Sequence, residues 1–158
     1  MAQLLHRANE VVARREDRVR LRRVFGATAA TLIAAIAVTG VVYEAAAAAG
    51  LVDRGVLLPS PLGYGPLSLA SVAVTALIAT LGAGAIFAIL AGTTQRPVRF
   101  FRVASTVLVL ASLSMPATIP GPSIGMRLAL ATMHVVVWAA AVTILPALAR
   151  APKGGGAS

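Results

Sequence analysis

From residue 24 onward the chain is a succession of long apolar runs separated by short polar or turn-forming stretches. Four runs stand out: Val24 to Tyr43 with an alanine tail through Ala49, Leu67 to Ala91, Val98 to Met115, and Ile124 to Leu148. Each lies near the roughly 20 residues that a helix needs to cross a ~30 Å hydrocarbon layer. The separators do not continue helices. Residues 50–66 contain Pro59, Pro61, Gly63, Gly65 and Pro66, and residues 116–122 read PATIPGP; proline lacks the N–H that a helix interior uses, so both stretches read as turns. The link from Gly92 to Pro97 is short, and short links favour antiparallel neighbours. The pattern therefore predicts an all-α fold, an integral membrane up-and-down four-helix bundle over residues 24–149. A basic tail (1–23) precedes it and a flexible tail ending GGGAS (150–158) follows. Pro146 removes one backbone donor near the end of the fourth run and is expected to bend its last turn.

Composition agrees with that pattern. With 58% hydrophobic residues, 12% charged residues and a mean hydropathy of +0.87, the chain lacks the polar surface to cover a soluble domain of this size. The net charge of +9 raises the question of nucleic acid, but phosphate-binding arginines need a solvated face with aromatic or amide readers beside them. Here the arginines flank apolar runs instead, which points to membrane topology and anionic lipid headgroups as partners, and to no nucleic acid.

Their distribution is one-sided. Arg7, Arg14, Arg15, Arg18, Arg20, Arg22, Arg23, Arg96, Arg99, Arg102, Arg150 and Lys153 fall on the side of the N-terminus, the middle link and the C-terminus, against Arg54 in the opposite loops. The positive-inside rule then predicts a multi-pass protein of the plasma membrane with both termini cytoplasmic. The N-terminal segment is either a solvated tail or a short amphipathic helix, with Leu4, Ala8, Val11, Val12 and Val19 loosely on one side. His6 in it reads as an exposed spectator. A cleaved signal is disfavoured, because the charged region contains Glu10, Glu16 and Asp17 and the apolar run exceeds the usual signal length.

Candidate chemistry is concentrated in the fourth run, RLALATMHVVVW. At 100° per residue Arg127, His134 and Trp138 fall within roughly 40° of one another, on one helix face. His134 lies ten residues past Ile124, ~15 Å into the span and near the bilayer midplane. An ionisable group at that depth is a candidate site by default. Two readings follow: a proton-exchanging or ligand-contacting group in a polar cleft, or a neutral imidazole bonded to a hydroxyl such as Thr75, Thr80 or Ser112 on a neighbouring helix. Glu44, at the outer end of the first span, matches Arg127 in depth; either the two form a bidentate ion pair or each reaches separately for the headgroups. Trp138, the sole tryptophan, is too deep for an interfacial belt and is expected to pack against the third span, the alternative being to stack on a bound ligand. Tyr43 and Tyr64 suit an outer interfacial belt. Gly84, Ala88 and Gly92 form a small-xxx-small series that lets another helix approach closely.

Several chemistries find no support. There are no cysteines, which removes disulfides and thiolate catalysis. One intramembrane histidine cannot supply bis-histidine haem or a metal cage, so no cofactor and no metal are expected. No phosphate-binding loop, nucleophile elbow or paired-carboxylate site is present, and the chain is not expected to be an enzyme.

The order FRVASTVLVLASLSMP, a turn-rich loop, then RLALATMHVVVWAAAVTILPALAR resembles DUF6069, a family of small actinobacterial four-helix membrane proteins. In that family a third helix ends in a Ser/Pro segment and the fourth carries a methionine-histidine step and a late proline; Met133, His134 and Pro146 match. The resemblance spans most of residues 20–150 and implies four spans in an actinobacterial membrane, with no activity assigned. Two function classes remain: a structural or interaction subunit, self-associating or bound to another membrane protein, and a small oligomeric transporter or ligand-binding membrane protein using the Arg127/His134 face. Surroundings decide between them, since a wet cavity on that face favours transport or binding whereas tight packing against hydroxyls and alanines favours structure.

Overall fold

The structure, a computed structural model, describes residues 19, 21–53, 55–61 and 63–150. The expectations for the N-terminal tail, His6, Arg54, Lys153 and the C-terminal tail lie outside the described residues. The first helix, α1 (Leu21–Ala48), runs further in both directions than the predicted 24–43, because the alanine run after Tyr43 is the best helix-forming composition available. It stops at Gly50, which adopts φ 71°. There Leu51 N–H donates to Ala46 O and Gly50 N–H to Ala47 O, the paired bonds of a Schellman cap that only a left-handed residue permits.

The link that follows is more ordered than a turn-rich loop. Strands β1 (Leu57–Ser60) and β2 (Gly63–Pro66) pair antiparallel with Leu57 opposite Pro66 and Ser60 opposite Gly63. Prolines are tolerated here because a two-stranded ribbon has only edges. Helix α2 (Leu69–Thr93) begins with a reciprocal cap, Ser71 N–H donating to Ser68 Oγ and Ser68 N–H to Ser71 Oγ. Helix α3 (Pro97–Ser112) carries Pro97 in its first turn, where the missing N–H is harmless. Its apolar run continues as α4 (Ser114–Thr118), a one-turn helix containing Pro116. The predicted turn at Pro116 is therefore displaced to Ile119–Ser123, because proline fits a helix's first turn as well as it fits a loop. Helix α5 (Ile124–Ala149) is capped by Ser123 Oγ and holds Pro146 buried inside it.

Four stretches, Leu21–Ala48, Leu69–Thr93, Pro97–Thr118 and Ile124–Ala149, are long and apolar enough to cross a membrane. Their outward faces carry Phe25, Ile33, Val41, Ile89 and Leu110, all more than 60% exposed, a surface that only hydrocarbon solvates without penalty. The chain is a multi-pass membrane protein. In cyclic order α1, α2, α3 and α5 each pack on their neighbours, with α1 against α5 the most extensive contact, and α2 also touches α5 across the bundle.

The closest seams use small residues. Ala27, Thr31, Ala35 and Thr39 of α1 recur every fourth position and are buried. The buried threonine hydroxyls bond their own helix, Thr31 to Ala27 O and Thr39 to Ala35 O, so neither presents an unpaired donor to the neighbour. On α2 the face so used is Ala76, Thr80 and Gly84, all buried. The predicted Gly84–Ala88–Gly92 series is thus displaced by two turns: Gly84 meets Thr28 of α1, while Gly92 has open space around it. Every fourth position drifts ~40° around a helix, so a long stripe leaves the seam.

Two cores bracket the bundle. At the end bearing the exposed Arg22, Arg23, Arg96, Arg99, Arg102 and Arg150, Val24, Phe87, Val98, Phe101, Val142 and Leu145 form one cluster. Within it Phe87 and Phe101 meet edge to face at 4.9 Å, the geometry that the ring quadrupoles favour. At the hairpin end Leu58, Leu67, Val72, Met126 and Met133 form the other.

Candidate functional site

Between the two cores the bundle is hollow. A cavity of about 490 Å³ lies among α2, α3 and α5, roofed by the β-hairpin and α4. That volume falls within the range of small-molecule sites, roughly 300–1,000 Å³. It opens sideways between α2 and α3, for Ile78 and Gly82 of one helix and Leu108 of the other line it and are also exposed on the bundle's outer surface. Glycine at 82 leaves the lip low, with no atom within 4 Å of where a Cβ would stand. On a membrane-spanning bundle a mouth between these two helices faces the hydrocarbon. Among the described residues no charged side chain lines the cavity.

His134 and Trp138 line the cavity from α5, one turn apart on the same face. His134 is half-buried, and its Nδ1 lies 2.8 Å from Leu130 O. A carbonyl oxygen only accepts, so Nδ1 carries the proton, and in the neutral ring Nε2 is an acceptor. Nε2 has no partner among the described residues and is not occluded. The interhelical bond to Thr75 or Ser112 does not form. Thr75 Oγ donates to Ser71 O and Ser112 Oγ to Val109 O, the intrahelical alternative always within reach of a short hydroxyl. Thr80 Oγ1 is buried with no partner among the described residues, and Thr80 does not line the cavity. Trp138 contributes its ring to the wall, while Nε1 is buried and unpartnered.

Arg127 and Glu44 do not join this pair. Arg127 donates from Nε to Pro122 O (3.2 Å), from Nη1 to Ala117 O (2.8 Å) and from Nη2 to Ile119 O (3.1 Å). The guanidinium closes the end of α4 onto the start of α5, satisfying carbonyls that the helix end leaves open. Glu44 is exposed on α1. Arg127 shares a helix face with His134, yet at the first turn that face meets the α4 loop, whereas two turns deeper it meets the hollow.

Ser105 completes the set of uncommitted polar groups. It lines the cavity from α3, is half-buried, and its hydroxyl has no partner among the described residues. Sequence reasoning passed over it because a serine in an apolar run is ordinarily back-bonded, as Ser112 is. Tyr43 instead ties the roof to α1, its hydroxyl donating to Leu67 O at 3.3 Å. No group of three or more metal-ligating side chains occurs among the described residues.

The model of a family of unknown function, DUF6069, matches residues 19–153 of the chain. No curated protein and no solved structure matches it.

Proposed function

The chain belongs to the DUF6069 family, which carries no assigned activity, and from its geometry we propose a ligand-binding membrane protein that admits an apolar molecule from the bilayer. The single observation behind this reading is the cavity between α2, α3 and α5, open to the side at Gly82 and lined by His134 and Trp138. A purely structural bundle gains dispersion energy by filling such a space, and leaving it hollow forfeits those contacts. A bound guest restores them. The sideways mouth suits a molecule already dissolved in the membrane, which then enters without passing through water.

The exposed arginines at one end of the bundle support an orientation in the plasma membrane with that end, and both termini, in the cytoplasm, where anionic headgroups add attraction. Nothing in the cavity lining resembles catalytic machinery, so the proposed role is binding or transfer without chemistry.

Trp138, the sole tryptophan, reports on the cavity directly. Reconstituted into lipid discs whose acyl chains carry bromine near mid-chain, the protein should lose most of its tryptophan fluorescence relative to unbrominated discs. Gly82→Phe, which raises the lip, should restore it. Equal fluorescence in both discs for the unmodified protein would show that no hydrocarbon reaches Trp138, and the ligand-binding reading would be abandoned.

A further inference from the structure

The cavity's polar groups narrow what it holds. Three observations converge among the described residues: no charged side chain lines it, His134 Nδ1–H is held by Leu130 O, which in the neutral ring leaves Nε2 as an unoccupied acceptor, and Ser105 on the neighbouring helix α3 lines it with an uncommitted hydroxyl. Beside a neutral imidazole, an ionised guest would bring an uncompensated charge into hydrocarbon, which is costly. A pure hydrocarbon would leave the imidazole nitrogen unpaired, and an unpaired buried acceptor is costly. A neutral group with a donor is what remains, and a hydroxyl is the smallest one that donates to His134 while still able to accept from Ser105. We infer that the guest is an uncharged apolar alcohol or phenol whose hydroxyl donates to His134 Nε2. This rests on the ligand-binding role proposed above.

The depth of His134 supports the assignment. It stands ~15 Å along α5 from the hairpin end, a level where a lipid's own hydroxyls and carbonyls do not reach. There the imidazole nitrogen offers a membrane-dissolved alcohol an acceptor with no bond among the described residues, which both draws the molecule in and sets its position. The remainder of the wall is mainly apolar, with the hydroxyls of Ser71, Thr75 and Ser112 turned to their own helices: Ile78, Leu108, Val137 and Ile86 contact the hydrocarbon part of the guest without selecting among chain types.

The test uses the full chain in lipid discs and three probes of one chain length, each with a terminal bromine: bromohexadecanol, its methyl ether and bromohexadecane. Saturable quenching of Trp138 at matched membrane concentrations gives a Kd for each. The alcohol is expected to bind about tenfold tighter than the ether, which keeps the oxygen but cannot donate. His134→Leu should abolish that preference while hydrocarbon still binds, and His134→Gln, which keeps a side-chain oxygen acceptor, should retain part of it. Should the leucine variant not fold, the alcohol-to-ether ratio of the unmodified protein decides alone. Equal affinities for alcohol and ether, or a preference that survives in His134→Leu, overturn the inference and leave the ligand-binding role standing. Saturable quenching by none of the three overturns that role as well.

Discussion

Gly84 is the position where one added methyl should do most harm. A Cβ built there stands 2.5 Å from Thr28 Oγ1, 2.7 Å from its Cγ2 and 3.2 Å from its Cβ. Thr28 cannot step aside cheaply. It is β-branched, so both heavy branches crowd Gly84 and turning χ1 exchanges one for the other, and its hydroxyl is bonded to Val24 O at 2.7 Å. Gly84→Ala therefore separates α1 from α2 or strains Thr28, and overpacking of this kind costs about 1–3 kcal/mol. Against it stands a gain of up to ~1 kcal/mol from replacing a mid-helix glycine by alanine. Gly82→Ala, two residues away with open space at its Cβ, measures that gain by itself. Thr28→Ala removes the two nearest atoms, so Gly84→Ala in that background should cost ~1–2 kcal/mol less than in the unmodified protein, a coupling in the range seen for contacting residues. The assay is reversible unfolding in mixed micelles for the four members of the cycle and for Gly82→Ala. An additive cycle, within about 0.3–0.5 kcal/mol, would refute the claim that the α1–α2 approach is set at this contact. Gly125→Ala supplies a contrast: its clash is with Leu51 Cδ2 at 2.8 Å, the free end of an exposed side chain, and it should be tolerated.

Arg127→Ala removes three bonds to carbonyls at the end of α4 and should destabilise by roughly 2 kcal/mol, discounted for its partial exposure; amide hydrogen exchange should rise first over residues 114–123. Glu44→Gln should be near neutral, and the double variant with Arg127→Ala additive within about 0.5 kcal/mol, whereas a larger coupling would revive the ion pair. Thr80→Val replaces a buried, unpartnered hydroxyl by a methyl and should stabilise by about 1 kcal/mol, with a loss in the same unfolding assay showing that Oγ1 is bonded in the membrane.

How much of this was legible in the chain itself divides along physical lines. Four apolar runs of membrane-spanning length and the turn residues between them specified the number, order and approximate bounds of the helices, because hydrocarbon demands internally bonded backbone whatever the packing. Helix periodicity likewise placed His134 and Trp138 on one face. Pairing was another matter. The small-residue series on α2 met α1 through Gly84 and not Gly92, and Arg127 reached the α4 carbonyls and not Glu44, since equal depth is necessary for contact but says nothing of azimuth. The hairpin came from residues that read as bare turns. Above all, the hollow at the centre could not be read from composition: a cavity is the difference between the volume that helices enclose and the volume that side chains fill, and the first of these exists only once the helices are packed. Hydropathy and helix geometry alone specified a four-span membrane protein with an ionisable residue near mid-bilayer. That this residue faces an open cavity follows from how the helices pack.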